Sequence, residues 1–96
     1  MVFFTLKDNS REKIERLVGA CHKFLADHPG TVYFSVGVLA DTRRDVNDRD
    51  YDVALHLIFA DRVAHDAYQT APRHDQFIAV CKENWKQVRV FDSTIA

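Results

Sequence analysis

The sequence predicts an α+β fold: one four-stranded antiparallel sheet with its helices packed on a single face. Four short runs are rich in β-branched and aromatic residues, and the segments between them repeat apolar residues at three- and four-residue steps. The patterns follow one another as strand, helix, strand, strand, helix, helix, strand, an order that suits the ferredoxin-like plan. A chain of 96 residues, 47% hydrophobic and 28% charged, has room for one core and so for a single domain over residues 1–96.

Phe3 to Lys7 reads as the first strand, and Asp8-Asn9-Ser10 ends it with side-chain oxygens able to accept the free N–H groups of a starting helix. Asn9 and Glu12 stand at capping-box spacing. Ile14, Leu17, Val18, Cys21 and Phe24 then mark one apolar stripe, with charged residues on the other side. Asp27-His28-Pro29-Gly30 must stop this helix, because Pro29 biases His28 away from helical geometry and Gly30 supplies a turn.

Thr31 to Leu39 is the second strand, with Val32, Phe34, Val36 and Val38 expected on one side. Asp41 to Asp50 holds four Asp and three Arg and reads as a solvated loop. Its acidic residues do not make a calcium loop, since Arg49 interrupts the ligand series and the required glycine is missing. Tyr51 to Phe59 is the third strand, with Tyr51, Val53, Leu55, Leu57 and Phe59 expected on one face. Asp61 caps a helix carrying Val63, Ala64, Ala67 and Tyr68, and Pro72 opens a third helix whose stripe is Phe77, Ile78, Cys81 and Trp85. Gln87 to Asp92 closes the sheet.

Thirteen basic against fourteen acidic residues give a net charge of -1, so there is no basic excess to hold nucleic acid or an anionic membrane. The longest apolar stretch, around Thr31 to Ala40, is half the length needed to cross a bilayer. The opening residues lack a secretory signal's pattern, which leaves the cytoplasm as the expected compartment. Cys21 and Cys81 lie on inward helical stripes and read as reduced, buried thiols. The exposed side of the sheet, with Ala54, His56 and Ile58, is too apolar to stay wet and has no helix left to cover it. A second copy of the chain could cover it, sheet on sheet.

Five histidines stand at 22, 28, 56, 65 and 74, with no pair at helical ligand spacing, so no metal site is expected. His28 reads as a turn residue and His65 as a surface residue of the second helix. His74 lies on the inward stripe of the third helix and in its first turn. The helix dipole and burial both disfavour its cationic form there, which leaves it the neutral form a general base needs. Tyr68, six residues earlier on the inward side of the second helix, could offer a phenol to a carbonyl oxygen. By spacing alone, a lone inward His with a nearby Tyr is more often a hydrogen-bonded packing pair.

Leu6-Lys7-Asp8, Tyr51-Asp52-Val53-Ala54-Leu55, the run Ala67-Tyr68-Gln69-Thr70-Ala71-Pro72-Arg73-His74 and Val90-Phe91-Asp92 together resemble the stress-responsive α/β-barrel family, often called Dabb, over nearly the whole chain. The resemblance implies a ferredoxin-like subunit that pairs through its sheet into an eight-stranded α+β barrel. One plant branch of that family closes linear polyketides by aldol chemistry with a Tyr and a His, and Tyr68 and His74 match those positions. Trp85 matches an aromatic lining the same pocket, whose walls here would be Val18, His22, Leu55 and Leu57. Ala71 departs from the family, which commonly has His before the Pro.

Two readings follow. The first is a homodimeric domain that holds a small hydrophobic or carbonyl ligand; the alternative is a cofactor-free lyase or cyclase using His74 as base and Tyr68 as hydrogen-bond donor. Neither needs a cofactor, and a haem or flavin enzyme is disfavoured by the lack of an axial-ligand context and of a glycine-rich phosphate loop.

Overall fold

Ser10 is the residue that starts the first helix. In the computed structural model, which describes all residues Met1–Ala96, its side chain accepts from the Lys13 backbone N–H at 3.4 Å. The expected pairing of Asn9 with Glu12 does not form. Asp8 instead accepts from the Ser10 N–H at 3.0 Å, and the Asn9 amide reaches Asp52 at 3.3 Å. The cap therefore falls one residue later than the spacing suggested.

The elements are β1 (Val2–Leu6), α1 (Arg11–Leu25), β2 (Thr31–Val38), β3 (Val53–Phe59), α2 (Arg62–Thr70), α3 (Pro72–Cys81), one 3-10 turn at Lys82–Asn84, and β4 (Trp85–Val90). All neighbours in the sheet are antiparallel, in the order β2-β3-β1-β4. The molecule measures 35 × 32 × 17 Å, a thickness that admits one sheet and one layer of helices. Phe4, Leu17, Cys21, Leu25, Val53 and Leu55 form the centre of the core between those layers. No helix is long and apolar enough to cross a membrane.

Four local expectations change. Trp85 is the first residue of β4 and not the end of α3, because the 3-10 turn ends the helical run at Asn84. Tyr51 lies outside β3 and turns to the opposite face, where its ring meets Phe3 at 4.9 Å. The reason is Asp52, whose backbone N–H donates to Phe4 O at 2.8 Å while its carboxylate accepts from the Leu6 N–H at 2.8 Å. Strand alternation begins only after that clasp. A register shift between Thr31 and Tyr33 leaves Val32 exposed, whereas Phe34 and Val36 pack on the core as expected. On α2, Val63 and Ala67 face solvent and Tyr68 carries the burial.

Gly30 fixes how close α2 comes to the start of β2. It adopts φ 81°, and a Cβ at this position would collide with that of Ala64. The Ala60 N–H donates to Gly30 O at 2.8 Å across the same gap. Together with Asp27 at φ 63°, this turn folds His28 back under the helices.

Candidate functional site

Tyr68 and His74 come together as their spacing implied. Pro72 opens α3 immediately after α2, so both side chains turn into the same space beneath the break. Their rings meet edge to face with centroids 4.8 Å apart. Tyr68 is only 8% exposed and is walled by Phe59 at 4.9 Å and by His28 at 5.0 Å. Burial raises the Tyr68 pKa, so the phenol stays protonated and keeps its O–H donor at neutral pH.

His74 is half-buried, and its Nδ1 is enclosed without a hydrogen-bond partner. Burial lowers its pKa; nearby Asp75 opposes that shift and His28 reinforces it. The ring is therefore neutral near pH 7, and one buried nitrogen is left free.

The other expected residues separate. Leu55 is buried in the core, with Val18 and Leu57 packed against it. His22 is exposed and lies against the Phe34 ring at 5.5 Å, with no contact to the Tyr68 and His74 rings. Trp85 belongs to a second aromatic cluster with Phe4 at 5.3 Å and Phe77 at 5.7 Å, and its Nε1 is also buried and unpaired. A recess of about 300 Å³ opens beside Trp85, floored by Leu6, Leu17 and Cys81 and rimmed by Lys13 and Arg16. A second, of about 430 Å³, lies on the open face of the sheet between Phe3, Tyr51, Phe91 and Arg89. Neither includes Tyr68 or His74.

The structure adds His28 to the site. It is 6% exposed, its Nε2 lies 2.7 Å from Phe24 O, and its ring forms one wall around Tyr68. A Pro-Gly turn normally points outward, and the positive φ at Asp27 and Gly30 reverses that here. His65 is likewise drawn in, against Phe59 at 5.4 Å.

The charged loop also turns out to be tethered. Arg89 of β4 donates to the Asp48 carboxylate at 2.8 Å and to Asp50 O at 3.0 Å, and the Thr5 hydroxyl donates to Asp50 O at 3.2 Å. Both Thr5 and Arg89 point away from the helices, so residues 47–51 fold over the β1–β4 half of the open face.

The two-layer arrangement, an antiparallel sheet with its helices on one face and the other face bare, is a ferredoxin-like α+β subunit. The family profile for the stress responsive A/B barrel domain matches residues 1–95, and the chain belongs to that family. A Dabb family protein with a ferredoxin-like fold from Mesorhizobium loti superposes with a TM-score of 0.79 at 24% identity, covering 99% of this chain and 92% of that one. A protein from Arabidopsis thaliana gives 0.74 at 19% identity, with 99% and 94% covered. A dimeric ferredoxin-like protein of unknown function from Jannaschia sp. gives 0.72 at 20% identity, with 98% and 94% covered. These likenesses establish the fold. No curated protein sequence matches the chain.

Proposed function

We propose that the protein acts as a homodimer in which two open sheet faces close a barrel, and that each subunit holds a small hydrophobic or carbonyl ligand. The observation that carries the dimer is the bare face itself. Phe3, Ala54, His56 and Ile58 lie there beside Tyr33, 47% exposed, and Phe91, 56% exposed. The chain exposes 6675 Å². A folded monomer of its 11.1 kDa is expected to expose about 5,700 Å². The surplus, about 1,000 Å², is of the size one partner buries in a stable complex. Dimeric neighbours of the same fold support the same reading. Light scattering at low micromolar concentration should return twice 11.1 kDa, and a monomer would overturn the reading.

A catalytic reading is favoured by one observation, the free buried Nδ1 of His74 beside a protonated Tyr68. Neutral His74 would take a proton from the carbon next to a ligand carbonyl, and the Tyr68 hydroxyl would donate to the enolate oxygen that develops. Such proton transfer contributes roughly a hundred- to ten-thousandfold in rate. The α-protons of a 3,5-dioxo ester should then exchange into heavy water faster with the protein than with His74→Ala. Equal rates would leave the pair a binding or packing element.

A further inference from the structure

On the helical side of the sheet, α1 and the turn that ends α3 leave a recess over the start of β4. Lys13 and Arg16 stand one helical turn apart on α1, so both reach the same rim. Leu6, Leu17 and Cys81 make the floor, and Val80, 50% exposed, makes an apolar wall. The 3-10 turn takes Trp85 out of the α3 stripe and brings it to the same space. At about 300 Å³ the recess has the size of a small ligand's site. Cys81 follows His74 by seven residues, which at the helical rise is about 10 Å along α3, so this recess is separate from the Tyr68–His74 pair.

The polar groups around this floor are incompletely matched. Lys13 and Arg16 enter none of the chain's ion pairs, although Arg11, Arg62 and Arg89 all do. Trp85 carries an indole N–H that is buried with no acceptor, a state proteins rarely tolerate without a partner. Two carboxylates share the rim, and they differ. Asp8 is turned to the start of α1, where it accepts from the Ser10 N–H at 3.0 Å, and the Asn84 amide holds its main chain through two bonds of 2.9 Å. Its charge is thus met by the helix N-terminus. Glu83 is exposed on the 3-10 turn and pairs with neither cation. The charge that reaches the floor is that of Arg16, which opposes the rise that burial imposes on the Cys81 thiol.

We infer that this recess binds an amphipathic monocarboxylate, its carboxylate held by Arg16 and Lys13 and its short apolar body laid over Leu6, Leu17 and Val80 beside Trp85. The guanidinium fork of Arg16 matches the two oxygens of a carboxylate, and Lys13 adds a point charge next to it. An inorganic anion would meet the cations but leave the apolar floor uncovered. A neutral alcohol of the same length would cover the floor but leave the cations unmet. Only a ligand with both parts uses the whole recess.

Octanoate is the probe, with octanol and octylammonium as neutral and cationic controls that carry the same tail. Trp85 is the only tryptophan in the chain, so its fluorescence reads the recess directly. The expected result is a saturable change with octanoate, about tenfold weaker binding of octanol and none of octylammonium. Arg16→Gln, at an exposed position where circular dichroism verifies the fold, should weaken octanoate about tenfold and leave octanol unchanged. Equal affinity for octanoate and octanol would overturn the inference, and so would octanoate binding that ignores Arg16→Gln. Timed alkylation gives a check that needs no variant. Bound octanoate should slow the labelling of Cys81 several-fold more than that of Cys21, which lies outside the recess. Equal slowing would place the ligand elsewhere and overturn the inference, as would unchanged fluorescence with unprotected Cys81. Failure of these tests leaves the dimer and the Tyr68–His74 readings standing, since those rest on the other face of the sheet and on the opposite end of α3.

Discussion

The two faces of the sheet are built from neighbouring residues, yet they end in different states. On the covered face Phe4, Val53 and Leu55 are buried, and Phe4 meets Phe77 and Trp85 ring to ring. One residue along the same strands, Phe3 and Ala54 pair with each other and remain half-exposed. Both faces carry aromatic and aliphatic side chains. The difference is that α1 and α3 supply apolar stripes to one side, while the other receives only a charged loop held by Arg89, Asp48 and Asp50. Apolar alternation sorts side chains between faces, but complementary surface decides whether a face becomes a core or an interface.

The hardest way to break the contrast is to remove Phe4. Phe4→Ala should cost about 3–5 kcal/mol in chemical denaturation, since a sealed core cannot fully collapse around the lost ring. The counterpart on the other face is Ile58→Glu. A charge there should leave the subunit folded, moving its denaturation midpoint by less than about 1 kcal/mol, while light scattering reads a monomer. If Ile58→Glu unfolded the chain instead, the open face would be part of the core.

His74 sharpens the comparison through pH. Its folded-state pKa is lowered by burial, so the unfolded chain binds a proton more readily. The neutral ring's contribution to stability is complete above the unfolded value of about 6.5 and is lost as pH falls below it. Denaturation midpoints should decline over that window, and His74→Gln should flatten the decline. His74→Ala at neutral pH should cost less than about 1 kcal/mol, because it abandons no paired nitrogen.

The smallest effect concerns the thiols. Burial pushes the Cys21 thiol up to about 12 and raises that of Cys81, where Arg16 partly opposes the shift. Both should react with a thiol reagent under native conditions more slowly than in the unfolded chain, Cys21 the slower of the two, as mass spectrometry after timed quenching would read.

Much of this was legible in the chain. Asp61 caps α2 and Pro72 opens α3 as their positions implied, and Tyr68 with His74 met across that break. Such features depend on residues a few positions apart, where backbone geometry leaves few choices. His28 was not legible as a buried residue, because its direction depends on the positive φ at Asp27 and on how closely Gly30 lets Ala64 approach. Trp85 could not be assigned to β4 from periodicity, since a 3-10 turn continues a helical pattern for one more step before the strand begins.

The sequence by itself determined the order of elements, the choice of covered face and the pairing of Tyr68 with His74, because local capping, turn chemistry and alternation act over a few residues. Only the tertiary structure decided that Trp85 and His22 stand apart from that pair, that Tyr51 crosses to the open face, and that the acidic loop roofs β1 and β4 while leaving His56 bare. Those outcomes join residues 41 to 46 positions apart, such as Asp48 with Arg89, Asp50 with Thr5 and Asp52 with Leu6, and no short-range pattern encodes such meetings.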